Sequence, residues 1–151
     1  PFGKIVDTDD TCPTLTFNTI GRHQSRLVRT RIASNQSPWL QKCKVGEVYT
    51  VPVSHGEGRF VCGDALLAEL AAGGQIAAQY VDADGEPGMD LRINPNGSVL
   101  AVEAITSPDG RVLGKMAHTE RSGRNLYRNV EGLTFQPLFE GGVAYFRPSR
   151  A

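Results

Sequence analysis

Val99-Leu100-Ala101-Val102-Glu103-Ala104-Ile105-Thr106-Ser107-Pro108-Asp109-Gly110-Arg111-Val112-Leu113-Gly114-Lys115-Met116-Ala117-His118-Thr119-Glu120 is the stretch on which the reading of this chain turns. Two apolar runs, Val99 to Thr106 and Arg111 to Ala117, flank Pro108-Asp109-Gly110, and that arrangement predicts an antiparallel hairpin. The hairpin delivers His118, with Glu120 two residues on. In an extended segment residues i and i+2 face the same way, so both side chains can reach one site. A carboxylate beside an imidazole fixes its tautomer and stabilises the imidazolium that forms when it accepts a proton, which suits a general base. Alone, H-x-E is more often a solvated strand end, because strand ends are polar.

Outward from the hairpin, the chain of 151 residues reads as one domain or part of one, over residues 1–151 with no internal boundary. Leu15 to Ile20 and Leu27 to Ala33 read as strands that pair with each other, Glu47 to Val53 as another, and Gln75 to Val81 as a fourth. Between them, Ser34 to Pro38 is a turn cluster, with Trp39 and Leu40 sealing the apolar surface beneath it. Asp64 is placed to cap a helix carrying Leu66, Leu67 and Leu70 on one face, with Gly73-Gly74 ending it. Pro137 to Phe146 reads as a last helix, in which Gly141 and Gly142 each cost about 1 kcal/mol relative to alanine.

Lys plus Arg and Asp plus Glu both number 16, so the net charge is zero and no whole-chain field favours nucleic acid. No apolar run approaches the roughly 20 residues of a membrane span. Cys12, Cys43 and Cys62 are an odd number without C-x-x-C spacing, which argues against a disulfide framework or a zinc site and fits a reducing, cytoplasmic setting. The three histidines, at 23, 55 and 118, lack metal-ligand spacing. Cys62, before Gly63 and the helix, comes nearest to a nucleophile elbow but lacks the preceding glycine, so it reads as a buried thiol. Its pairing with His118 would make a thiol hydrolase. Ser54-His55-Gly56-Glu57-Gly58-Arg59 combines an imidazole, a carboxylate and free backbone N–H groups, a shape suited to a small polar ligand or to a plain tight loop. Arg22 to Arg31 is the basic run, and Arg29 with Arg31 shares a strand face that is solvated or docks another protein surface.

Asn18-Thr19-Ile20-Gly21-Arg22-His23, Ser37-Pro38-Trp39-Leu40, Val53 to Arg59, Asn94-Pro95-Asn96-Gly97-Ser98 and Gly114 to Arg121 occur together and in order. In combination they resemble the C-terminal part of the glutamine amidotransferase domain of the phosphoribosylformylglycinamidine synthase family. Asn125-Leu126-Tyr127-Arg128-Asn129 and the Leu138 to Val143 ending resemble its long single-chain bacterial form. The resemblance implies an α/β, flavodoxin-like sheet of the class I amidotransferase kind, incomplete at its N-terminus. It implies a cysteine–histidine–glutamate triad that releases ammonia from glutamine, with His118 and Glu120 as its second and third members. Ser54, His55 and Gly56 are implied to line the substrate side.

The ammonia would serve a synthetase portion, the remainder of the same enzyme, which uses ATP and magnesium to turn formylglycinamide ribonucleotide into the amidine in purine biosynthesis. This chain itself is expected to hold no cofactor. Ala117-His118-Thr119 departs from the Pro, Gly or Ser that commonly surround the family's histidine. The family's G-x-C-x-G elbow lies upstream of the segment resembling Pro1-Phe2-Gly3, so the chain alone is expected to be inactive. An incomplete sheet leaves an open edge and apolar face, so self-association is expected. The rival expectation is a catalytically silent interaction module of the same fold, docking through the Arg22 to Arg31 face.

Overall fold

A computed structural model describes residues 12–123 and 125–147; Pro1-Phe2-Gly3 lies outside the described residues. Among the described residues, Thr, Val, Ile and aromatic side chains concentrate in seven strands, as expected of side chains that fit a pleated, half-buried surface. These are β1 (Thr14–Thr16), β2 (Gln24–Ile32), β3 (Val48–His55), β4 (Arg59–Val61), β5 (Ile76–Val81), β6 (Val102–Thr106) and β7 (Leu113–Lys115). Two helices accompany them, α1 (Asp64–Ala72) and α2 (Leu138–Phe146). The order β3-β2-β5-β6-β7 forms a five-stranded sheet, and β1 with β4 forms a separate pair. Ile76, Ala77, Ala78, Tyr80 and Val81 are all buried, so β5 is covered on both faces and forms the centre of the sheet. Leu70 of α1 packs with Phe60, Ile76 and Val102. The larger cluster joins Val28, Ile32, Val51 and Tyr80 to Leu40 and to Leu138 at the start of α2.

The α/β class read from the sequence holds, and the hairpin forms with Ala104 opposite Lys115, Ile105 opposite Gly114 and Thr106 opposite Leu113. Among the described residues every strand ladder is antiparallel, whereas a flavodoxin-like sheet is mainly parallel. Parallel neighbours need crossovers of a dozen or more residues, usually helical, and α1 is the one helix between described strands. What is described is thus an antiparallel sheet within an α/β arrangement.

Three local expectations are corrected. β1 and β2 do not pair with each other: β1 pairs with β4, and β2 lies between β3 and β5. A turn redirects the chain between them, closed by Gly21 N–H to Asn18 O at 2.8 Å and by Asn18 Nδ2 to Arg22 O at 2.9 Å. β6 starts at Val102 rather than Val99, because Leu100 and Ala101 have φ of 48° and 52°, left-handed values that no strand accommodates. Helix α1 is capped by Gly63; Asp64 is instead its first residue, where a carboxylate complements the helix N-terminus.

Helix α2 keeps its two glycines for a packing reason. A Cβ on Gly142 would enter the Trp39 indole, and one on Gly141 would strike the Trp39 carbonyl. The Pro38–Leu40 turn that carries Trp39 is itself capped by Ser37, whose hydroxyl accepts from Trp39 N–H at 3.3 Å and donates to Gly110 O at 2.7 Å. Ring contact with Phe146, centroids 5.5 Å apart, completes the seat. Alanine's better helix propensity, about 1 kcal/mol, is therefore outweighed by overpacking of about 1–3 kcal/mol. Gly142→Ala is expected to lower stability in urea unfolding, and a more stable variant would show that α2 is not seated on Trp39.

Candidate active site

His118 leaves the β7 end of the hairpin with its backbone N–H bonded to Pro52 O of β3 at 2.8 Å. Its Nδ1 lies 2.7 Å from Glu120 Oε1. The expected pairing is present, but strand alternation does not make it. Thr119–Arg121 is a tight helical turn with His118 at its cap, and Arg121 N–H closes it on His118 O at 3.1 Å. Thr119 anchors that turn through its hydroxyl, which donates to the buried Gln136 Oε1 at 2.7 Å. A carboxylate accepting at Nδ1 assigns the proton to that nitrogen and leaves Nε2 as the basic one in neutral imidazole. Nε2 is buried and has no hydrogen-bond partner among the described residues. Burial alone would raise the Glu120 carboxyl, but its own backbone N–H, His118 and the Arg121 charge together hold it below the usual carboxylate range.

His55, the last residue of β3, brings its ring centroid to 6.2 Å from that of His118. Burial pushes its imidazole below the ordinary value, and the neighbouring His118 and His23 act in the same direction. The loop after it is knotted by one asparagine. Asn18 Oδ1 accepts from Gly58 N–H at 3.2 Å and from Asn96 Nδ2 at 2.7 Å, while Asn18 Nδ2 donates to His55 O at 2.8 Å and to Arg22 O. Asn96 Oδ1 in turn accepts from Tyr80 OH at 2.9 Å. Ser98 spans the same gap: its hydroxyl donates to Gly58 O at 3.3 Å and accepts from Phe60 N–H at 3.1 Å. Gly58 lies against the His55 ring so closely that a Cβ would overlap Cδ2 and Nε2. Of the three residues expected to line the substrate side, His55 is brought to His118. Ser54 is not, since its hydroxyl meets His23 Nε2 at 3.1 Å, and the Gly56 carbonyl is taken by Asn18 N–H at 2.8 Å.

The site thus holds a histidine oriented by a glutamate, with a second imidazole beside it. Residues 1–146 match the model of the CobB/CobQ-like glutamine amidotransferase domain. The chain belongs to that family. Over 117 residues it is 36% identical to a phosphoribosylformylglycinamidine synthase subunit PurQ of Koribacter versatilis, covering 78% of this chain and 50% of that protein. Over 114 residues it is 40% identical to the PurQ subunit of Trichormus variabilis, covering 75% and 46%. The chain thus spans about half the length of the curated relatives it matches. A solved structure, PurLQS from Thermotoga maritima, superposes with a TM-score of 0.67 over 90% of this chain and 54% of that one, at 23% identity, and so supports the fold.

Within the amidotransferase domain, Asn18, Asn96 and Ser98 lie in stretches the sequence singled out, yet their task there is structural, and only their burial reveals it. Glu103 and Lys115 meet at 2.8 Å beneath the His118 segment, a pair that no motif of the sequence marks. The available signal was a carboxylate within the otherwise apolar run of β6. Cys62 packs beside Phe60 and Leu70, and burial, with Asp64 nearby, raises its thiol; that is the reverse of what a nucleophile requires. Burial raises Cys43 likewise. The basic run is largely occupied within the chain: Arg29 meets Glu131 at 3.9 Å, Arg31 meets Glu86 at 3.7 Å, and Arg26 donates to Leu91 O at 2.7 Å. Among the described residues, no group of three or more His, Cys, Asp or Glu side chains is arranged to hold a metal ion, and no helix is long and apolar enough to cross a membrane.

Two outcomes follow from this geometry. Asn18→Leu strands two buried donors, Gly58 N–H and Asn96 Nδ2, and two part-buried carbonyls, so denaturant unfolding should show a loss of about 3 kcal/mol. A loss below about 1 kcal/mol would mean the knot carries little. For His55 the folded imidazole resists a proton that the unfolded chain accepts near 6.5, so stability should fall as pH drops below 6.5 and level off beneath the folded value. His55→Gln is expected to flatten that limb in unfolding curves taken across pH.

Proposed function

We propose that this chain is the C-terminal portion of the glutaminase domain of a phosphoribosylformylglycinamidine synthase, supplying the histidine and glutamate of a cysteine–histidine–glutamate triad. The observation that carries the reading is the 2.7 Å contact of His118 Nδ1 with Glu120, which leaves a buried Nε2 free to take a proton. Family membership and the likeness to PurQ subunits support the same assignment.

In the proposed reaction a cysteine on an upstream G-x-C-x-G elbow gives its proton to His118 Nε2, and the thiolate attacks the glutamine side-chain carbonyl carbon. The tetrahedral intermediate collapses as the imidazolium returns that proton to the departing nitrogen, releasing ammonia and leaving a thioester. Water, deprotonated by the same nitrogen, then attacks the thioester; its collapse frees glutamate and restores the thiol. Glu120 stabilises the imidazolium at each stage by holding the Nδ1 proton. Neutral His55, pressed on by Gly58, flanks the substrate side without competing for that proton. ATP and magnesium act in the synthetase portion, the partner to which the ammonia goes. A cytoplasmic location suits such an enzyme.

The 151-residue chain alone should hydrolyse no glutamine above a blank. Joined to the upstream elbow segment it should gain turnover, and His118→Ala should reduce kcat by about 10³-fold or more, with a smaller loss for Glu120→Gln. Turnover by the chain alone that vanished in Cys62→Ser would replace this reading with a thiol hydrolase, and partner binding without turnover in the extended protein would favour a silent interaction module.

A further inference from the structure

We infer that Glu103 and Lys115 are positioning residues for His118, acting through the two peptide groups on either side of Ala117. The inference rests on the reading of His118 as the general base. The β6–β7 ladder has its last pair at Ala104 and Lys115, so backbone groups beyond it must find other partners or remain buried and unsatisfied. The first step is still backbone to backbone, Met116 N–H to Glu103 O at 3.0 Å. From there side chains take over. Glu103 Oε1 accepts from Ala117 N–H at 2.8 Å and from Lys115 Nζ at 2.8 Å, and Lys115 Nζ also donates to Ala117 O at 3.3 Å.

The peptide before Ala117 is thus held by the glutamate. The peptide after it is held at its carbonyl by the lysine together with Thr119 N–H at 3.2 Å, and at its N–H, which belongs to His118, by Pro52 O at 2.8 Å. With both peptide planes fixed, φ and ψ at Ala117 are fixed, and so is the position of His118 Cα; the turn after it, closed by Arg121 N–H on His118 O at 3.1 Å, then sets the direction of the Cα–Cβ bond. A side chain acting as base must sit within a few tenths of an ångström of its productive place, and an error of 1 Å can cost about 10²-fold in rate. Stability gives no comparable reason for the pair. The Glu103 side chain is 0% exposed and that of Lys115 10%, and buried ion pairs are commonly replaced by apolar residues without loss of stability.

The test uses the full enzyme carrying this chain and reads glutamine hydrolysis as kcat and KM. A Glu103→Leu/Lys115→Met double variant removes both side-chain clamps and leaves no buried charge. It is expected to remain folded, with kcat lowered about 10–100-fold and KM within about threefold. A Glu103→Gln variant keeps an oxygen for Ala117 N–H and leaves Lys115 on Ala117 O, and should retain kcat within about threefold, as conservative rescue requires. Unchanged kcat in a folded leucine variant overturns the inference. So does an equal loss in both variants, which would trace the effect to charge rather than to the peptide clamp. If the leucine variant does not fold, the glutamine variant decides alone, a fall in kcat beyond about tenfold counting against the clamp. His118→Ala is measured alongside: if it abolishes turnover while the leucine variant is unaffected, the clamp alone fails, and if it leaves turnover intact, the general-base reading fails and takes the clamp with it.

Discussion

The amide of Asn18 is the constraint on which the site depends. An asparagine side chain offers two donor hydrogens and an oxygen with two lone pairs, and here all four are used, on Gly58, Asn96, His55 and Arg22. The residue is 2% exposed, and its bonds to Gly58 and Asn96 are buried where water cannot replace them. Three segments distant in sequence are thereby tied at one point: the turn before β2, the loop between β3 and β4, and the Asn94–Ser98 turn. Low local dielectric makes such a network strong when complete and costly when broken. That all-or-none character suits a loop whose task is to hold its shape.

The chemistry follows from where the knot leaves His55. With its carbonyl bonded to Asn18 and its ring backed by Gly58, the imidazole has few rotamers left, and the one adopted places it beside His118. Two imidazoles at this distance are better neighbours when only one is charged. Burial disfavours the charged form of His55, while His118 is oriented through Nδ1 by the Glu120 carboxylate. The opposed surroundings assign different roles to two chemically identical side chains, which is how one site can hold both a base and a neutral polar group.

Local features of the chain were legible, and distant pairings were not. The P-D-G hairpin, the leucine-rich helix and the turn before Trp39 depend on residues within a few positions of each other, so their spacing predicts them. The partner of β1 is β4, which follows β2 and β3 in the chain, and no local pattern reveals that. The proximity of His55 to His118 is likewise a product of β3 abutting the hairpin exit, where Pro52 O receives His118 N–H. The glycines of α2 looked like a weakness by helix propensity and are instead the condition for seating on Trp39. Glu103 was hidden for another reason: a single carboxylate in a strand reads as a solvent-facing position unless its partners are known.

The two side chains of the H-x-E segment meet by a route that strand alternation does not describe. Alternation along a strand predicted that His118 and Glu120 would face one side, and they do meet, but through a helical turn that starts at His118. In a strand the two side chains would run roughly parallel, each free to choose its rotamer. In the turn the backbone folds toward itself, Thr119 is pinned to Gln136, and the carboxylate is carried to Nδ1 with little freedom left. The orienting bond therefore depends on the segment before the histidine and on the turn after it. Each is fixed by a buried hydrogen bond from a residue that takes no part in proton transfer. An H-x-E sequence without a buried threonine or a clamped preceding residue would have the same letters and a looser base.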